Sequence, residues 1–164
     1  MQPSPTSWKR KPFKEGVPLP YRAAFDSEQF ARLREGLVPQ QMEDKWFIYY
    51  EEPHLFLHRS WTGAPVYRLS LNSVSGGAEV MEALWSQELA DTSTPTQGAE
   101  YQVRLLDFLL SNLLLGQSKP FPVPFGPSRT KARSPSAYRL RHWLSAIFSE
   151  AKEALVAYLV TVAK

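Results

Sequence analysis

Over residues 45–71, KWFIYYEEPHLFLHRSWTGAPVYRLSL, the chain is densely β-branched and aromatic, and turn residues interrupt it twice. Extended chains point successive side chains to opposite faces, so this run is predicted to form three strands, at residues 46–51, 55–60 and 66–71. The first puts Trp46, Ile48 and Tyr50 on one face and Phe47 and Tyr49 on the other. Both faces are apolar, so both need cover. In the second, Leu55, Leu57 and Arg59 oppose Phe56, His58 and Ser60. In the third, Tyr67, Leu69 and Leu71 oppose Val66, Arg68 and Ser70. The connections Glu52-Pro53-His54 and Trp61-Thr62-Gly63-Ala64-Pro65 are short, which implies antiparallel neighbours, because a parallel crossover needs a dozen or more residues.

Helical periodicity flanks this meander. Asp26 followed three residues later by Gln29 has the pattern of a capping box. It predicts a helix over residues 27–35, with Phe30, Leu33 and Leu37 inward and Gly36 as its stop. Residues 100–115 form the strongest helical pattern. Tyr101, Leu105, Phe108, Leu109 and Leu113 lie on one face, widened by Val103, Leu106, Leu110 and Leu114, and Gly116 follows as the stop. Residues 78–89 fit either a strand over 78–84 or a short helix, and a strand entering a helical turn is the reading adopted. Gly76-Gly77 before it is a weak phosphate-cradle motif, with no spaced glycines and no Lys-Ser/Thr after it. A last amphipathic helix is predicted over 137–164, with Leu140, Leu144, Ile147, Ala151, Ala154, Tyr158 and Val162 as its stripe. The fold class is α+β: a small antiparallel meander packed against helices mainly on one face, plus this extra C-terminal helix.

Charge divides the chain further. Residues 1–22 carry a balance of +4, residues 23–116 carry −7 and residues 117–164 carry +6, within a total of +3. The organisation read from this is a basic Pro-rich arm (1–22), an acidic α+β domain (23–116), a Pro-rich linker (117–136) and the C-terminal helix (137–164). The arm is read as extended and mobile, partly docked on the body. The linker is read as a strap across the body's surface. Contact with polyanions would run through the ends: Lys9, Arg10 and Lys11 at one, and Arg129, Lys131, Arg133, Arg139 and Arg141 at the other. The last helix also offers a surface for a homo-oligomer.

The absence of cysteine excludes disulfides, thiolate metal sites and a cysteine nucleophile. It suits a cytoplasmic protein. Three histidines leave little for a metal centre, so neither metal nor cofactor is expected. No apolar run of membrane-spanning length and no signal peptide is present. None of the common hydrolase, metalloprotease or phosphate-loop motifs occurs. The one compact polar group is His58-Arg59-Ser60-Trp61-Thr62 at the second turn: a guanidinium fork for phosphate or carboxylate, an indole face for a base or sugar, and two hydroxyls.

The stretches MEDKWFIYYEEPHLFLHRSWTG and LLDFLLSNLLLG, with the helix SEQFARLREGLVPQQ, resemble a bacterial domain family without an established activity. Its members show K-W-F-I followed by Tyr or Phe, a W-L-Y-F-H-R-S-W-T-G hairpin end and a late leucine-rich helix. They occur alone or linked to ADP-ribosylglycohydrolases. The resemblance covers about residues 25–116 and departs at His54, where an aromatic is common. It implies an association with ADP-ribose or NAD chemistry and carries over no catalytic residue. Three functions are therefore in play. The first is a non-catalytic binding or regulatory module recognising a nucleotide-like ligand or a protein partner at the hairpin end. The second is an enzyme acting on ADP-ribose or a nucleotide, with His58 and Asp44 or Glu51 as acid and base. The third is nucleic-acid binding through the basic ends.

Overall fold

The computed structural model describes residues 2–41, 43–93 and 97–124. The C-terminal helix expected over 137–164, the linker beyond residue 124 and the cations Arg129, Lys131, Arg133, Arg139 and Arg141 lie outside the described residues.

Among the described residues, six antiparallel strands form one sheet: β1 (Gly16–Leu19), β2 (Ala24–Asp26), β3 (Trp46–Glu51), β4 (His54–Arg59), β5 (Pro65–Val74) and β6 (Gly77–Ser86). The spatial order is β1-β6-β5-β4-β3, and β2 also pairs with β6. The expected meander is present with the expected facing residues: Ile48 lies opposite Leu57, and Leu57 opposite Tyr67. Residues 78–89 resolve as β6 running into a short helix, α2 (Gln87–Thr92). β5 lines one side of β6, while β2 and then β1 line the other. Edge strand β1 carries Pro18, tolerable where a missing N–H need not face a neighbour.

The Gly76-Gly77 pair closes the β5–β6 hairpin and does not open a helix, so the phosphate-cradle reading is corrected. A side chain on Gly77 would collide with the Phe25 carbonyl of β2, which explains glycine there without any ligand.

One sheet face carries the core. Trp46, Ile48, Leu55, Leu57, Tyr67, Leu69 and Leu71 pack with Leu33 of α1 (Ser27–Glu35) and with Leu106 and Leu109 of α3 (Ala99–Leu109). Leu33, Leu57 and Leu106 are fully buried, and each such side chain stabilises by about 1.5–3 kcal/mol. The capping box forms as read: Gln29 N–H donates to Asp26 Oδ1 at 2.8 Å, and Asp26 N–H to Gln29 Oε1 at 3.1 Å. Gly36, at φ +60°, ends the helix. Tyr67 Oη, buried in the core, donates to Gln102 Oε1, and Gln102 Nε2 donates to the Gln97 carbonyl at 3.0 Å. This polar latch ties α3 to the sheet.

α3 departs from the expected stripe at its end. Leu110–Leu114 is a π-helical turn, in which Leu115 N–H bonds to the Leu110 carbonyl at 3.1 Å. The wider turn rotates later side chains backward, so Leu114 and not Leu113 meets the core. Leu113 is 39% exposed. Residues 117–124 then return along α3: Lys119 pairs with Asp107, Asn112 bonds both backbone groups of Lys119, and Phe121 packs edge-on against Phe108.

The second sheet face is covered by the N-terminal segment. Gly16–Leu19, assigned by composition to a mobile arm, is strand β1. Ahead of it, residues 8–13 lie on a column of rings: Phe47–Tyr49, Tyr49–Phe56 and His54–Phe56, with centroids 5.2, 5.0 and 5.9 Å apart. Arg10 lies over Tyr49 at 5.7 Å, and Arg68 over the Phe13 ring at 5.3 Å.

Candidate functional site

The β4–β5 turn is built by backbone bonds that leave its tip at the surface. Gly63 N–H donates to the Arg59 carbonyl and Arg59 N–H to the Ala64 carbonyl, each at 2.8 Å. Gly63 adopts φ +68°, a left-handed conformation that glycine reaches without a Cβ penalty. Ser60 is buried. Its hydroxyl donates to the Asp44 carbonyl at 2.5 Å and its N–H to the Lys45 carbonyl at 3.1 Å, which anchors the turn to the segment entering β3.

This geometry distributes the five turn residues over three places. Arg59 alternates onto the helix-covered face, with its guanidinium 4.3 Å above the Trp46 ring. Glu51 stands opposite His54 at the far end of the hairpin. His58 and Ser60 turn to the other side and are buried. Trp61 and Thr62 form the tip. Trp61 is 47% exposed with Lys45 Nζ 4.0 Å from its ring, and the Thr62 hydroxyl accepts from Ala64 N–H at 3.2 Å.

His58 sits among Phe47, Tyr49 and Phe56, at 6.3, 5.7 and 6.4 Å between centroids. Its Nδ1 is 3.1 Å from the Gly63 carbonyl, while its Nε2 has no partner among the described residues. Burial holds its pKa below the usual histidine value. The Gly63 bond opposes that shift, and Arg10 adds to it. Burial likewise raises the Tyr49 phenol. Neither carboxylate weighed as a catalytic partner is directed at His58. The Asp44 carboxylate accepts from Gln40 and Gln41 N–H at 2.8 and 3.2 Å. Glu51 lies four residues along β3 from Phe47, the residue opposite His58, which is roughly 13 Å away.

The arm joins two candidate groups that are far apart in sequence. Trp8 Nε1 donates to the Ser60 carbonyl at 2.7 Å, and Lys11 N–H to the Gly63 carbonyl at 2.8 Å. Lys9, Arg10 and Lys11 are thereby held against the turn that carries Trp61, over whose ring lies Lys45 from the segment entering β3, and all three are exposed. Sequence reading missed Lys45 as a member of this group, and missed that Trp8 is an anchor. The only hint was an aromatic residue set among the arm's charges.

Among the described residues, no cluster of three or more His, Cys, Asp or Glu is arranged to hold a metal ion, and no helix is long and apolar enough to cross a membrane. Comparison with protein-family models, with curated proteins and with solved structures gives no match.

Proposed function

We propose that this protein is a non-catalytic binding module that takes a phosphate-bearing, nucleotide-like ligand at the β4–β5 turn. The observation that carries this reading is the docking of Lys9–Lys11 beside Trp61 and Lys45. Clustered ammonium and guanidinium groups raise the local concentration of anions, and an exposed indole offers a stacking face to a base. In this reading Trp61 stacks on the base and Lys9, Lys11 and Lys45 meet the phosphates. His58, Arg59 and Ser60 hold the turn in shape. The family resemblance points to the same ligand class, of which ADP-ribose and NAD are the first candidates.

A binding role is favoured over catalysis because His58 is enclosed by rings and its two candidate carboxylates are engaged or distant. The test is a thermal-shift and calorimetric screen against ADP-ribose, NAD and nucleotides. Trp61→Ala and the double variant Lys9→Ala/Lys11→Ala are each expected to weaken binding by about tenfold or more, on the order of 1.4 kcal/mol. Unchanged affinity in both variants would place the ligand elsewhere. Absence of any shift would turn the reading toward a protein partner. An oligonucleotide that binds with steep salt dependence, where mononucleotides do not, would turn it toward nucleic acid.

A further inference from the structure

One carbonyl links His58 to the arm. The Gly63 oxygen accepts from both Lys11 N–H and His58 Nδ1. A carbonyl only accepts, so Nδ1 carries the proton of the neutral ring and the lone pair lies on Nε2. That lone pair has no partner among the described residues, and the ring is 0% exposed. A second proton at Nε2 would place a cation in an aromatic enclosure, with a donor and, among the described residues, nothing to accept from it.

The charged and titratable neighbours do not compensate. Arg10 faces the ring from the arm and Tyr49 from β3. His54 stands at the far end of the ring column on β4. Arg68 of β5 lies opposite Phe56. The acids that bear on this face, Glu51 and Glu82, act at the His54 end, and Glu82 is 3.7 Å from Arg68.

The imidazolium therefore needs water, and two routes could admit it. One opens the β3–β4–β5 ladder. The other lifts the arm, which crosses Gly63 and Tyr49, the groups flanking the ring. Residues 8–13 are outside any strand and are fastened to the turn by two hydrogen bonds and ring contacts. The arm is the weaker cover, so it yields first.

We propose that the arm is a proton-gated strap: protonation of His58 at Nε2 lifts residues 8–13 from the sheet and dismantles the anion site at the turn. The lifting stands on geometry alone; its consequence for the ligand rests on the function proposed above. The proton comes from solvent and stays on the ring, the Nδ1–H bond to Gly63 is retained, and no covalent bond changes.

The experiment is ¹⁹F NMR of the full chain labelled with 5-fluorotryptophan, without ligand, from about pH 7.5 to about pH 5. Trp8 is assigned by Trp8→Phe. The Trp8 resonance is expected to move to its solvent position with a midpoint below the ordinary histidine value, while Trp46 and Trp85 in the core do not move. His58→Phe keeps a ring in the column but cannot titrate, so Trp8 should stay docked throughout. Arg10→Gln removes a cation facing the ring and should move the midpoint to higher pH, which tests the gate even if His58→Phe fails to fold. A stationary Trp8 in the wild type overturns the proposal. So does an unchanged Trp8 transition in His58→Phe, or Trp46 and Trp85 moving together with Trp8. In parallel, ADP-ribose affinity should fall about tenfold or more at the lower pH in the wild type and not in His58→Phe. If Trp8 moves and ADP-ribose binds at neither pH, the strap stands and the ligand reading falls.

Discussion

Replacing Gly63 with Ala tests the arm's seat on the turn without changing any charge. The substitution has two costs. At φ +68° an L-residue meets a backbone penalty of about 1–2 kcal/mol. The new Cβ would also stand 2.9 Å from Arg10 Cα and 3.1 Å from the Lys9 carbonyl oxygen. Carbon atoms in contact prefer about 3.5–4.0 Å, so the arm backbone must retreat by roughly 0.6–1 Å or more. The Lys11–Gly63 and Trp8–Ser60 bonds, at 2.8 and 2.7 Å, would then stretch beyond useful length. Each contributes about 0.5–1.5 kcal/mol net. Docking is therefore expected to weaken by about 1–3 kcal/mol, roughly 5- to 150-fold in the equilibrium between seated and lifted arm.

Gly76→Ala supplies the control. Gly76 also has a positive φ, +92°, but a Cβ there meets nothing within 4 Å. Both variants should show the backbone penalty in urea denaturation, and Gly63→Ala should lose more by up to the docking loss. Only Gly63→Ala should lose hydrogen-exchange protection at Lys11 N–H and Trp8 Nε1–H. If protection at Lys11 in Gly63→Ala stays within about twofold of Gly76→Ala, the arm is not seated on the turn as described.

Three further outcomes follow from the same contacts. The folded pKa of His58 is depressed, so the unfolded chain binds the proton more tightly. Stability is then full above the unfolded value of about 6.5 and declines as pH falls from there toward the folded value. Urea midpoints at neutral and mildly acidic pH should show this loss, and His58→Phe should reduce it, leaving the same-sign contribution of half-buried His54. Tyr67→Phe strips the donor from the Gln102 amide and should cost about 1–3 kcal/mol, while Tyr67→Phe with Gln102→Leu should cost less than the separate losses combined; strictly additive losses would mean the pair is not coupled. Asp26→Ala removes the carboxylate half of the capping box, the backbone N–H at position 26 still reaching Gln29 Oε1, and should cost about 0.5–2 kcal/mol by the same assay, with a negligible loss contradicting the capping geometry.

Much of this protein was decided within short stretches of chain. The alternation in residues 46–71 set the strands and their facing residues, because a one-residue slip would turn Leu55, Leu57 and Leu69 out of the core. Asp26 with Gln29, and Gly36, set the ends of α1, because caps act within one turn. Other features needed the folded chain. Composition marks residues 1–22 as a basic, proline-rich tail, yet Val17 and Leu19 pair with β6 because β6 presents an open flank that local sequence does not reveal. The π-turn that exposes Leu113 arises where α3 packs on the core, and periodicity assumes a uniform pitch. The candidate site divides in the same way. The turn residues 58–62 were legible as a polar group at a hairpin end. Which of them face the surface was decided by strand alternation. Their meeting with Lys9–Lys11 was decided by an arm that reaches Ser60 from Trp8, 52 residues away in sequence, and Gly63 from Lys11. Backbone propensity acts over a few neighbours, whereas a basic segment finds its seat only after the sheet has formed one.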